Sequence, residues 1–369
     1  VSEVGKLSLK IDADAAGFHS GMSSVQSKLG QIGTGMKQFG GMMTRYVTLP
    51  LLGVATAAFK MGKDFEFEMQ KIIGLVGVSK DQVAAWSKDI LEMAPRLGKA
   101  PKELAEALYF ITSAGIDAAD AMNVLEMAAK ASAAGLGETK VVADLVTSAM
   151  NAYGAEVLGA EEATNILLKA VRLGKAAPEE LAAAMGAVLP IASEMGVQFY
   201  EVAGAIAAMS RTGTDAHTAT TQLKQILASL LKPAQQAEEA LNKMGTSSAE
   251  LRQQIKDEGL LTVLMRLKDL TNEYGEDMMA KVFPNIRALM GILDLMGANM
   301  EDNIKIMEEM SISTNDLDAA FEGASNTAEF KFQQALAQVQ SSLIELWEVI
   351  GDPVISIMGD LVKKIKEIT

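Results

Sequence analysis

The chain has 369 residues, a net charge of −14, no cysteine, two histidines and only 5% aromatic residues. That balance argues against tight nucleic-acid binding, which needs Lys and Arg to replace phosphate counterions. It also removes disulfides, thiol nucleophiles and thiolate metal sites. The 31 glycines and 23 methionines suit thin helices that pack closely, with methionine filling irregular gaps.

At the N-terminus, KLSLKI alternates apolar and polar residues, which predicts at most one short strand near Leu7–Ile11. A more regular pattern follows. Phe18, Met22, Val25, Leu29, Ile32, Met36, Phe39, Met43 and Tyr46 are spaced alternately four and three apart. That is a heptad seam, an apolar stripe one helix wide that needs a partner helix. Glycine, serine, glutamine, lysine and threonine fill most other positions, so the helix cannot bury two faces. Two covers are open to it, its own domain or a sister chain, and the narrowness of the stripe favours the sister chain.

From Tyr46 to Phe59 the chain is uncharged: YVTLPLLGVATAAF. Fourteen residues fall short of the roughly 20 that cross a bilayer, and Pro50 interrupts the run. A secretion signal is expected still less, since one would sit at the extreme N-terminus and this run follows 45 mostly polar residues. Tyr46, Val47, Leu49, Pro50, Leu51, Leu52, Val54 and Phe59 therefore form an apolar helix shielded by protein, and transient membrane contact is the weaker reading.

Between Lys63 and Leu231, glycine or proline recurs every 15–20 residues, at Pro95/Gly98, Gly115, Gly135/Gly137, Gly154, Gly174, Pro178, Gly196 and Gly213. Glycine after a helix and proline in a first turn are stop and start signals, so this region reads as punctuated helix. It carries an internal duplication. APKELAEAL from Ala100 matches APEELAAAM from Ala177, and Gly115-Ile116 corresponds to Gly196-Val197 after a four-residue insertion. Beyond Pro233 the sequence is more polar, as in exposed helical hairpins. A helical tail follows from about Asn326, in which Pro353 predicts a break.

Catalytic templates fail. There is no HExxH, and His217 stands alone; a triad would have to use it or His19. The glycine cluster GQIGTGMKQFGG has neither GxGxxG nor GK[ST] spacing. Glu161-Glu162 and Glu179-Glu180 belong to first turns, where carboxylates complement the helix dipole. No catalytic, cofactor or metal site is expected. The fold class is all-α, divided as an arm (1–16), a heptad helix and apolar helix (17–62), a duplicated compact core (63–232), hairpins (233–325) and a helical tail (326–369).

Four blocks, in order, resemble the phage tail tape measure proteins: KLSLKIDADAAGFHSGM; VTLPLLGVATAAFKMGKDFEFEMQKIIGLVG; the two Ala-Pro repeats; and KVFPNIRALMGILDLMG with SLIELWEVIGDPVISIMGDLVKKI. Singly each block is alanine-rich helix; the ordered set carries the resemblance. It implies a virion structural protein made in the host cytoplasm, and an oligomer in the tail tube lumen or at the tail tip. That oligomer sets tail length and is released at genome ejection. The implied partners are sister chains, three being favoured by the tube's symmetry, together with tube and tail-tip or baseplate hub proteins. The resemblance implies no specific nucleic acid and no cofactor. Fully helical, 369 residues would reach about 550 Å, but the Gly/Pro punctuation folds much of this chain compactly. The rival classes are a helical-repeat scaffold or adaptor and a membrane-perturbing helical protein.

Overall fold

A computed structural model describes residues 49–312 and 315–368, with side chains for 56–312, 315–349 and 351. The short strand at Leu7–Ile11 and the nine seam residues from Phe18 to Tyr46 lie outside the described residues, as does Val47. Among the described residues the chain is all-α, with no strand. In order, the helices are α1 (Leu49–Lys71), α2 (Lys80–Leu97), α3 (Pro101–Ser113), α4 (Ala118–Ala131), α5 (Thr139–Tyr153) and α6 (Ala160–Leu173). Next come α7 (Pro178–Met185), α8 (Leu189–Met195), α9 (Phe199–Arg211), α10 (Ala216–Leu231), α11 (Gln235–Lys243) and α12 (Ser248–Glu258). The last are α13 (Leu260–Tyr274), α14 (Glu276–Val282), α15 (Ile286–Met296), α16 (Met300–Met310), α17 (Asp316–Ser325) and α18 (Ala328–Ile368).

The punctuation acts locally as expected. Pro101 and Pro178 open α3 and α7 as first-turn residues, where the missing N–H costs nothing. Gly98 and Gly196 close α2 and α8 in the left-handed conformation that a side chain resists. Polar caps do the same work at other starts: Asp215 Oδ1 accepts the Thr218 N–H at 2.9 Å, and Asn285 Oδ1 accepts that of Arg287 at 2.9 Å. The two Ala-Pro segments begin with nearly the same backbone, φ/ψ −66/137 at Ala100 and −63/136 at Ala177. They then diverge. The first continues as one 13-residue helix, whereas the second is interrupted between Met185 and Leu189.

Two compact units emerge: the described residues of Val1–Asp64 with Ser342–Thr369, and Phe65–Ser341. These divisions fall inside α1 and α18. In the larger unit α9 is the central helix. Every residue from Val202 to Ser210 is buried, as is Glu201, and α6, α10 and α16 pack around it. A helix with so little polar surface has no solvent face to offer. Small residues set the spacing: a methyl group on Gly204 would lie 3.2 Å from Met310 Cγ, and one on Gly291 of α15 would lie 2.9 Å from Gln222 Cβ of α10.

Pro50 and Pro353 sit inside helices, and at the second the predicted break is corrected. The apolar run and the acidic-aromatic DFEFEMQK segment form one continuous helix, α1, with Pro50 in its first turn, where proline is tolerated. The C-terminal helix also runs through Pro353 without ending. Proline removes one ladder hydrogen bond and bends a helix, which a 41-residue helix accommodates.

Candidate functional site

In the smaller unit, α1 meets α18 at a tryptophan. Ala58 and Trp347 are both buried, with Leu343 and Leu346 packed against them. Phe59 sits edge-on to Trp347 at 5.2 Å between ring centroids, and the Lys63 ammonium lies 6.0 Å from the Phe59 ring. Gly62 makes this seat, because a methyl group there would collide with the Trp347 ring. Phe59, the last residue of the apolar segment, is thus held by protein at one edge. Leu49, Pro50, Leu51, Leu52 and Val54 belong to the first two turns of α1. Among the described residues no helix is long and apolar enough to cross a membrane.

The larger unit has two exposed apolar stripes. On α15, Ile286, Met290 and Leu293 lie on one face and are exposed. On α18, Phe332, Leu336 and Val339 are 63%, 41% and 55% exposed. The opposite face of α18 is packed: Phe330 covers Gly98 of α2 and sits edge-on to Phe321 at 5.6 Å, Ala337 is buried, and Ser341 Oγ donates to the Leu91 carbonyl at 3.0 Å. Both stripes escape the sequence reading. Their spacing of three and four residues is the signal that could have found them.

The polar features have structural explanations. An open cleft of about 740 Å³ is lined by Lys99, Glu103, Glu138, Thr139, Lys140 and Glu179 among others. Its charges meet one another: Lys99 donates to Ser132 Oγ at 2.6 Å and faces Glu103 at 3.4 Å, Thr139 donates to Glu103, and Lys140 pairs with Glu138 at 2.9 Å. Hydrogen bonding to Glu138 holds the Lys140 ammonium above its usual pKa. His217 is exposed in the first turn of α10, and Glu161-Glu162 and Glu179-Glu180 occupy first turns of α6 and α7. Among the described residues no three His, Asp or Glu side chains gather as metal ligands would.

Glu201 is the most constrained acid. Its carboxylate accepts the Gln198 N–H at 3.0 Å, completing a capping box at the start of α9, and the Leu260 N–H at 2.6 Å at the start of α13. One buried side chain therefore closes two helix N-termini. Burial pushes its carboxyl above the usual range, partly opposed by these backbone donors. Tyr153 is close by, its hydroxyl donating to the Val197 carbonyl at 2.9 Å, and burial with the Glu201 charge raises the phenol as well. Every partner is backbone or protein core, so the group supports the fold and has no open face for a reactant.

Residues 87–325 match the family model described as phage-related minor tail protein. The chain is similar to the tape measure protein of Pneumococcus phage Dp-1, with 23% identity over 98% of this chain and 34% of that protein. It is also similar to the probable tape measure protein of Clostridium phage phiCD119, with 27% identity over 80% of this chain and 32% of that protein. The chain spans about a third of the length of these curated relatives. No solved structure matches it.

Proposed function

This chain belongs to the phage-related minor tail protein family, and from that membership we propose that it is a tape-measure-type structural component of the phage tail, without enzymatic activity. The observation that carries this reading is the similarity to a tape measure protein along 98% of the chain. The described residues suit a structural role, since the buried Glu201, Asn303 and Ser341 side chains each tie one helix to the backbone of another. In this reading sister chains associate through the seam from Phe18 to Tyr46, three chains being favoured. The oligomer lies in the tube lumen or at the tip, contacts tube and hub proteins, and leaves when the genome is ejected.

The larger unit does not behave as a rod. A ruler gains about 1.5 Å per helical residue only where the helix runs along the measured axis, and the many short helices of residues 65–341 pack on one another instead. We assign measuring to extended helix, of which α18 is the longest described piece, and anchoring to the bundle. Mass spectrometry of purified tails tests the placement. The expected result is this chain present at a fixed copy number that is a multiple of three. Purified tails that lack it would favour a scaffold or adaptor in the host cell.

A further inference from the structure

Of the ten residues of α17 only Leu317 is buried, against eleven of thirteen in α9. So short a helix does not stand alone in water, where even about 12–15 residues are marginal. The N-terminus of α17 is also capped from outside. Asn315, at the cap position, makes no capping bond, and the Leu317 N–H donates instead to Asn165 Oδ1 of α6 at 2.7 Å. The helix is therefore held in shape by lying on α4 and α6.

Charge supplies much of that attachment. Arg172 of α6 pairs with Asp316 at 2.5 Å and with Glu309 of α16 at 3.3 Å, and Lys130 of α4 pairs with Asp318 at 3.5 Å. Two cations from two helices thus fasten both first-turn acids of α17. Arg172 and Asp318 are each more than half exposed, so dissolved salt reaches both pairs. At its other end α17 leads into α18. There Phe321 stands edge-on to Phe330, the residue that covers Gly98 of α2. Lifting α17 removes one wall of the Phe330 seat.

We propose that α17 is a strap fastened by charge. It leaves α4 and α6 and unwinds as one unit while the rest of the bundle stays folded, and Arg172 and Lys130 set how often it does so. Unwound, it spans up to about 35 Å in place of about 15 Å. The strap thereby gives slack between α16 and α18 and loosens the first turn of α18. The proposal uses only contacts within one chain, so it stands or falls separately from the tail role given above.

Hydrogen exchange of the full-length chain, read by mass spectrometry, tests it. Peptides covering α17 are expected to exchange at least about tenfold faster than those covering α9, because a local opening costs less than global unfolding. Arg172→Met with Lys130→Met should raise the α17 rate a further threefold to tenfold, roughly the worth of two partly exposed ion pairs, and leave α9 unchanged. Raising sodium chloride to about 0.5 M should speed α17 relative to α9 in the wild type and do little in the variant. The salt arm needs no substitution, so it decides the matter independently of the variant's stability. Exchange of α17 and α9 at one common rate would overturn the strap. Fast exchange of α17 that ignores salt, or the loss of both cations, would overturn its fastening by charge.

Discussion

Replacing Glu201 with alanine is expected to lower the unfolding free energy by about 2–4 kcal/mol at neutral pH, with loss of the cooperative helical transition at lower denaturant. The figure follows from two charge-assisted hydrogen bonds at roughly 1.5–3 kcal/mol each, less the relief of desolvating a buried charge. It is large because one carboxylate serves two helices: without it the Gln198 and Leu260 N–H groups lose their shared acceptor at the starts of α9 and α13. Gly259 offers a control, since a methyl group there would lie 2.6 Å from Glu201 Oε1 and its φ is 91°. Alanine at Gly259 should therefore destabilise through the same contact. The proton balance adds a pH signature. Burial holds the folded-state carboxyl above its usual value, so the folded protein keeps a proton over a window in which the unfolded chain has released it. Unfolding free energy contributed by this group thus falls as pH rises from about 4.3 through the raised value, and is flat above it. Urea titrations across that window should show the wild type losing stability relative to Glu201→Gln as pH rises. A difference that is constant with pH, or a wild type that gains stability relative to Glu201→Gln as pH rises, would contradict the assignment.

The second large effect concerns assembly. Leu29→Glu with Ile32→Glu places two carboxylates in the middle of the seam, where sister helices would have to bury them against like charge. Burying even one unpaired carboxylate costs several kcal/mol, repeated in each chain, while a glycine-rich helix has little stability of its own to offset it. The seam oligomer should be lost entirely, with the helical bundle of residues 65–341 still folded. Sedimentation velocity on wild type and double variant measures this directly. A wild type that is monomeric, with the seam packed on its own chain, would overturn the shared seam.

Much of the helix pattern is legible in the residues themselves because glycine and proline act locally. Gly98, Gly154, Gly174 and Gly196 end helices where their spacing says they should, and Pro101 and Pro178 begin them. Helix pairing is harder to read. Nothing in FYEVAGAIAAMSR distinguishes α9 as the central helix, because alanine and glycine suit any close contact, and its cover comes partly from α16, about a hundred residues later. The polar composition after Pro233 likewise hides Leu260, Val263 and Leu267, which are buried. The stripe on α18 is masked for another reason. Phe330, Ala337 and Ile344, seven residues apart, make a second, buried stripe on the same helix, so the 4-3 spacing blends into it. Pro353 misleads because the loss of a single hydrogen bond bends a long helix more readily than it ends one. Among the apolar segment's residues, Phe59 against Trp347 depends on Gly62, a contact that no local pattern announces.

Tail length tests the central claim most directly. Four heptads of helix inserted in the C-terminal part of α18, in phage that depend on this chain, add about 42 Å if that helix lies along the measured axis. Electron micrographs of purified particles should then show tails longer by about that amount, with the chain still present in them. Tails of unchanged length that contain the lengthened chain would contradict a measuring role for α18.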